Sequence, residues 1–137
     1  MSFLDWEPKE YGVGVKECDN QHQKLIKLIN ELYDAMVEKK TRESLGKILK
    51  ELVDYTVYHF STEENLFKIT DYPEAAAQKL EHEKFTKTVT DFKKKFEETS
   101  TTLISIDILK FLREWLLNHI CIVDKKYGPY LNSKGVL

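Results

Sequence analysis

Apolar residues recur at intervals of three and four positions along most of the chain, in four long segments separated by short breaks. This spacing is typical of amphipathic α-helices that bury one face. We predict helices at about residues 19–40, 41–69, 73–98 and 105–127. Four helices of this length with short connections pack as antiparallel neighbours. The pattern therefore predicts an all-α fold, an up-down-up-down four-helix bundle.

The ends of the predicted helices carry local signals. Asp19 is a candidate N-cap of the first helix, and Asp71 with Glu74 three positions later resembles a capping box for the third. Gly128 followed by Pro129 predicts the end of the fourth helix. These signals place the breaks between helices but leave their bounds open by a few residues.

The first 18 residues lack a helical pattern, and we predict that they form an N-terminal arm against the outside of the bundle. Phe3, Trp6 and Tyr11 are the side chains expected to anchor it. No stretch rich in proline, glycine or serine divides the remaining chain. We therefore expect residues 1–137 to form a single domain.

The amino-acid composition excludes several classes of function. The chain is 42% hydrophobic and 32% charged, as in soluble globular proteins, and its net charge of −2 is spread along the sequence. The sequence has no basic stripe, which would indicate a nucleic-acid or membrane partner. No apolar run approaches the roughly 20 residues of a membrane span, and the N-terminus is unlike a signal peptide. The two cysteines, Cys18 and Cys121, are typical of reduced thiols, so we expect a cytoplasmic protein. We expect it to be a monomer, with a weak oligomer as the alternative.

Polar residues interrupt the apolar faces at one place in each helix. The protein has four histidines, and each continues the apolar face of a different predicted helix: His22, His59, His82 and His119. A lone histidine on such a face is usually a hydrogen-bonded core residue. In an antiparallel bundle, however, the start of helices one and three and the end of helices two and four share one end. All four histidines fall towards that end.

Two carboxylates accompany the histidines. Glu63 lies four positions after His59, and Asp124 lies five positions after His119. Burying an unpaired carboxylate is costly, so a buried group of imidazoles and carboxylates predicts a metal site. Glu63 could instead lie at a helix end in contact with solvent. Five helical residues separate His119 and Asp124 by about 140°, so either a π-type widening brings them together or Asp124 reaches in from the side.

The ligand types indicate the metal. Imidazole and carboxylate without thiolate are unlike a structural zinc site, which prefers cysteine and four ligands. Four imidazoles and two carboxylates exceed one four-coordinate ion and suit two ions that share the carboxylates. Iron is the expected metal, with manganese and zinc as alternatives.

These residues resemble the hemerythrin family, and in particular its single-domain bacterial members. The resemblance covers nearly the whole chain. It is carried by a histidine early in the first helix, by H-x-x-x-E in "HFSTE", by a pair four apart in the third helix, and by H-x-x-x-x-D in "HICIVD". Ferritin-like di-iron bundles carry E-x-x-H instead, a motif that this chain lacks in the corresponding helices.

The resemblance implies an oxo- or hydroxo-bridged centre of two iron ions that binds O₂ reversibly. His22 and His59 correspond to ligands of the iron that takes O₂, His82 and His119 to ligands of the other iron, and Glu63 and Asp124 to bridging carboxylates. The apolar pocket for O₂ corresponds to Leu25, Phe60, Trp115, Leu116 and Ile120.

One position departs from the family. The family has a fifth histidine where this chain has Gln78, the first member of the pair in the third helix. We interpret Gln78 as a substituted ligand of the iron bound by His82 and His119. Its amide oxygen could bind the metal directly, or the amide could stand off and admit water.

The resemblance thus implies an O₂-binding carrier, store or sensor rather than an enzyme. Two alternatives remain open at this point. The same centre, altered at Gln78, could be an enzyme that acts on peroxide, nitric oxide or Fe(II). The bundle could also store metal.

Overall fold

The computed structural model describes residues 4–5, 8–98 and 106–137. A short helix, α1 (Pro8–Tyr11), precedes three long ones, α2 (Lys16–Val37), α3 (Arg42–Thr70) and α4 (Ala75–Glu98). The fourth long element is composite. It runs through α5 (Ile106–Asn118), a π-helical segment (His119–Val123), a 3₁₀ turn (Asp124–Lys126) and α6 (Tyr127–Ser133).

The four long elements form a four-helix bundle, which confirms the predicted all-α fold. Connections of a few residues join α2 to α3 and α3 to α4, so these neighbours pack antiparallel. Each helix turns its apolar stripe inward, and the core contains buried residues from every long element, among them Leu25, Leu49, Val89 and Leu112. None of the helices in the described part of the chain is both long and apolar enough to cross a membrane.

The described part of the N-terminal arm is bound to the bundle by specific contacts. Asn30 of α2 accepts a hydrogen bond from the Leu4 amide at 2.8 Å and donates one to the Leu4 carbonyl at 2.7 Å. Val13 and Val15 are buried, and the Val13 carbonyl lies against Gly128 of α6. The predicted anchors Phe3 and Trp6 lie outside the described residues, and Tyr11, the last residue of α1, packs partly buried against the core.

Two predicted N-caps are wrong. The first long helix begins at Lys16 and not at Asp19, and Asp19 is not its N-cap. Its carboxylate instead accepts a hydrogen bond from the Val13 amide at 2.8 Å, which holds the arm. Asp71 does not cap α4 either. It lies at the end of α3 with φ of 54°, the left-handed conformation of many helix C-caps, while Glu74 accepts a hydrogen bond from the Tyr72 hydroxyl.

The predicted stop at Gly128-Pro129 is also wrong, because helical structure continues to Ser133. Pro129 falls in the first turn of α6, where the missing amide proton costs no helical hydrogen bond. Gly128 is required for a different reason. A Cβ atom there would lie 1.9 Å from the Val13 carbonyl oxygen, so the glycine allows the arm to pack against the helix. The predicted start at residue 105 lies outside the described part of the chain.

Candidate metal centre

Four histidines, one from each long element, meet in the interior of the bundle. His22 of α2 and His59 of α3 form one pair, with ring centroids 4.5 Å apart. His82 of α4 and His119 of the π-helical segment form the other, at 5.2 Å. All four are at least 98% buried. The convergence predicted from their positions along the helices is therefore present in the structure.

Two fully buried carboxylates lie between the histidine pairs. One oxygen of Glu63 is 3.3 Å from His59 Nε2 and 3.2 Å from His82 Nε2, and the other is 3.5 Å from His22 Nε2. Asp124 is 3.1 Å from His22 Nε2 and 3.0 Å from His119 Nε2. Each carboxylate thus contacts histidines of both pairs, which is the arrangement that two bridged metal ions need.

The π-helical segment brings Asp124 into this site. The Asp124 amide donates to the carbonyl of His119, five residues earlier, as well as to that of Ile120. An extra residue in the turn compensates for the 140° that an α-helix would place between His119 and Asp124. Of the two alternatives left by the sequence, the widened helix is the one found.

The donor atoms form two overlapping groups that share both carboxylates. Within each group, one candidate ligand atom from each residue lies within 4.8 Å of the others. The groups are His22, His59, Glu63 and Asp124, and Glu63, His82, His119 and Asp124.

Several of these atoms have no hydrogen-bond partner although they are buried, among them His82 Nε2, His119 Nε2, Glu63 Oε1 and Asp124 Oδ2. Buried polar atoms without partners are unfavourable, and a pair of cations between the two groups would satisfy them. The donor set, nitrogen and carboxylate oxygen, fits iron.

Three of the imidazoles are oriented by hydrogen bonds from their other nitrogen. Nδ1 of His59 lies 2.8 Å from Gln21 Oε1, Nδ1 of His82 lies 3.0 Å from Glu64, and Nδ1 of His119 lies 2.9 Å from Glu81. These acceptors keep the proton on Nδ1 and leave Nε2 facing the centre. None of these three partners was predicted from the sequence.

Gln21, Glu64 and Glu81 each lie next to a predicted ligand in the sequence, in "QHQ", "EEN" and "EHE". That adjacency is the only local signal for them. All three contact a histidine on a different helix, so the sequence could not assign the pairs.

Tyr127 contacts Glu63, and Cys18 is buried next to Tyr127. The Tyr127 hydroxyl donates to Glu63 Oε2 at 2.5 Å, and both residues are fully buried. Burial and the charges of Glu63 and Asp124 raise the pKa of Tyr127 well above its usual value, and burial beside Glu63 raises the pKa of the Cys18 thiol. Both groups are therefore neutral donors beside a carboxylate.

The carboxylates dominate the electrostatics of the site. Burial lowers the pKa of His22 and of His119, but the adjacent carboxylates outweigh burial and raise each pKa to about 9. Burial instead keeps the pKa of His59 below its usual value. Burial also opposes ionisation of Glu63, yet the surrounding histidines hold its pKa well below the usual range. The site thus contains ionised carboxylates that attract cations.

Gln78 lies where its position in the third helix predicts. Its side chain is 2% exposed, and its amide nitrogen donates to Asp124 Oδ1 at 3.1 Å and to the Val123 carbonyl at 3.5 Å. Its amide oxygen is buried without a hydrogen-bond partner.

Two of the five residues predicted to form an apolar pocket stack on histidines of the centre. Phe60 stacks on His82 with ring centroids 3.9 Å apart, and Trp115 stacks on His119 at 4.6 Å. Leu25, Leu116 and Ile120 are buried in the core. Trp115 therefore covers the His82 and His119 pair, whereas Phe60 also lies beside His59, with ring centroids 5.6 Å apart, and so reaches the pair to which the predicted O₂ pocket belongs.

Comparisons with known proteins agree with this geometry. Residues 13–131 match the model of the family described as "Hemerythrin HHE cation binding domain". A bacteriohemerythrin of Methylococcus capsulatus is 37% identical over 133 residues, which cover 97% of this chain and all of that protein. A hemerythrin-like protein of Naegleria gruberi is 35% identical over 136 residues, covering 99% and 95%. A crystal structure of a wild-type hemerythrin superposes with a TM-score of 0.89 at 37% identity, covering 95% of this chain and 98% of that one.

The fold and the site define a four-helix bundle metalloprotein with a buried histidine and carboxylate centre. The chain belongs to the hemerythrin family. Members of this family bind O₂ at a non-haem di-iron centre, and the donors of this chain are of the kind that such a centre needs.

Proposed function

We propose that this chain binds O₂ reversibly as a carrier, store or sensor, at a bridged di-iron centre. In this proposal His22 and His59 would hold one iron, His82 and His119 would hold the other, and both irons would share Glu63 and Asp124. The observation that supports it best is the pair of overlapping donor groups that share both carboxylates. Bound ferrous iron supplies a position for O₂ and the electrons that retain it.

The protein's own residues have three further roles. Gln21, Glu64 and Glu81 orient imidazoles through Nδ1, and Tyr127 positions Glu63 through its hydroxyl. Leu25, Phe60, Trp115, Leu116 and Ile120 are proposed to line the O₂ pocket, where apolar side chains keep out the water that promotes oxidation of the centre.

Gln78 is proposed as a weak seventh ligand on the iron of His82 and His119. Its amide oxygen is buried beside Asp124 without a hydrogen bond, and a metal ion is a partner that the surrounding residues do not supply. Carbonyl oxygen is a poorer donor to iron than imidazole, so this bond is expected to be the weakest in the centre.

Iron analysis and absorption spectroscopy test the proposal. The reduced, iron-loaded protein is expected to contain two irons per chain and to develop a visible band in air that disappears when O₂ is removed. Glu63→Gln, which keeps the size but removes the charge of a proposed bridge, is expected to lose iron. Glu43→Gln, in the first turn of the same helix, is the control.

Two results contradict the proposal. Less than one iron per chain contradicts a di-iron centre. Immediate and irreversible oxidation in air contradicts reversible O₂ binding and favours an enzyme that acts on peroxide, nitric oxide or Fe(II).

We also propose that the chain is one hemerythrin domain that acts as a cytoplasmic monomer without a nucleic-acid partner. Its net charge of −2 argues against a nucleic-acid partner, and its two cysteines have no CxxC spacing and are too few for a disulfide framework, as is typical of cytoplasmic proteins. Light scattering after gel filtration is expected to give the 16.2 kDa mass of a single chain. A dimer mass contradicts the monomer.

A further inference from the structure

A cavity of about 160 Å³ lies beside Gln78, on the outer side of the metal centre. Its walls combine exposed residues, Ala77 and Lys126, with the buried side chain of Gln78. The cavity therefore connects solvent with the one candidate ligand that is neither histidine nor carboxylate. Since each water occupies about 30 Å³ in the liquid, it has room for several waters or for a small anion.

The polar atom of Gln78 that could bind a metal is the one that lacks a partner. The amide nitrogen is engaged with Asp124 and Val123, whereas Oε1 is buried without a hydrogen bond. A buried acceptor without a partner costs about 1–3 kcal/mol. A metal ion on this side of the centre would supply the missing partner of the amide oxygen.

The two donor groups differ only on the Gln78 side. Each consists of two histidines and the two shared carboxylates, and Gln78 adds a neutral amide next to the group of His82 and His119. Iron prefers imidazole and carboxylate over carbonyl oxygen. The amide oxygen is therefore the protein donor that a stronger incoming ligand displaces most easily.

Charge favours an anion as that ligand. The positive charge of two ferric ions would exceed the negative charge of the two carboxylates that hold them. Lys126 lies in the wall of the cavity. The same wall contains two carboxylates, Glu81, which lies against Nδ1 of His119, and Glu74, which accepts a hydrogen bond from Tyr72, and a hydrogen bond leaves the charge of a carboxylate in place. The attraction for an anion would therefore come from the metal ions and not from the cavity wall.

We propose that the centre has a second binding position for small anions, on the iron of His82 and His119. The anion enters through the Gln78 cavity and displaces the amide oxygen of Gln78. This inference rests on the proposed function, and it adds a ligand position distinct from the one for O₂ on the iron of His22 and His59.

Azide titration of the oxidised, iron-loaded protein tests this position. We expect two azide ions per di-iron centre in the wild type, followed by absorption and by the infrared stretch of bound azide. Gln78→His supplies a stronger fifth donor on that side and is expected to reduce the stoichiometry to one. Iron content is measured on every sample.

Two substitutions on one turn of α4 test the route. Ala77→Trp places a bulky side chain in the cavity wall and is expected to slow uptake of the second azide about tenfold or more, because entry then requires a rearrangement. Ala76→Trp lies on the same turn but lines a different groove, and it is the matched control. Both positions are on the surface, so the unfolding midpoints should remain close to wild type.

The outcomes separate this inference from the proposed function. If the wild-type protein contains two irons but binds only one azide, the second anion position is refuted and the proposed function is not. If both the wild type and Gln78→His bind two azides, the second azide binds elsewhere, and the proposed position at Gln78 is refuted. Equal rates for Ala77→Trp and Ala76→Trp overturn the route. A protein that does not assemble two irons refutes the proposed function and this inference with it.

Discussion

Replacement of Gly128 by alanine tests how the N-terminal arm is attached to the bundle. An added Cβ would lie 1.9 Å from the Val13 carbonyl oxygen and 3.1 Å from its carbonyl carbon, whereas ordinary contacts begin near 3.4 Å. The two backbones must therefore separate by about 1.5 Å. Neither can move easily, because Val13 is buried and its amide is bound to Asp19.

The expected loss of stability follows from two limits. Overpacking that the structure absorbs locally costs about 1–3 kcal/mol. If the arm instead detaches, the side chains of Val13 and Val15 lose their burial, at about 1.5–3 kcal/mol each. We expect Gly128→Ala to lower the free energy of unfolding by about 3 kcal/mol, which corresponds to a decrease in Tm of about 10 °C for a domain of this size.

Gly46→Ala is the matched control, because it makes the same chemical change in the interior of α3. Its added Cβ would lie 3.6 Å from Phe96, an ordinary contact. Alanine is the better helix former, so we expect a gain of about 0.5–1 kcal/mol. Urea unfolding followed by circular dichroism measures both variants. A Gly128→Ala protein within about 1 kcal/mol of wild type would refute the argument.

Three further predictions concern the metal centre. Tyr127→Phe removes the hydroxyl that donates to buried Glu63 and is expected to lower the unfolding free energy of the metal-free protein by about 1.5–3 kcal/mol; Tyr58→Phe, at an exposed position, is the control, and equal stabilities contradict the role. Glu81→Gln weakens the acceptor on Nδ1 of His119 and is expected to reduce iron affinity about tenfold to a hundredfold in competition with a chelator; exposed Glu83→Gln should have no effect. Because each pKa of His22 and His119 is raised from 6.5 to about 9, their contribution to stability is complete below pH 6.5 and is lost as the pH rises through 9. Urea unfolding of metal-free protein should show that decline, and a flat profile over this range contradicts it.

Much of the architecture could be predicted from local patterns. The intervals between apolar residues predicted the four helices, because an amphipathic helix must bury one face. The family resemblance and the four-helix bundle are confirmed. The residues that meet in the centre were also predictable, since a histidine or carboxylate in an apolar stripe points inward whatever its neighbours are.

The helix ends were less predictable, because caps depend on contacts made by the folded chain. Asp19 and Asp71 have the residue type of an N-cap, yet one binds the arm and the other ends the preceding helix. Gly128 and Pro129 have the residue types of a stop signal, yet the helix continues through them. At Gly128 the reason lies 115 positions away in the sequence, at the carbonyl of Val13.

The sequence by itself determined which faces of the helices are buried and which unusual residues those faces carry, because helical periodicity is a local property. The tertiary structure alone decided how those residues are paired: Tyr127 with Glu63, Glu81 with His119, and Gln78 with Asp124 and an adjacent cavity. These pairs join different elements of the fold. Their geometry depends on how closely the helices pack, which no single stretch of sequence specifies.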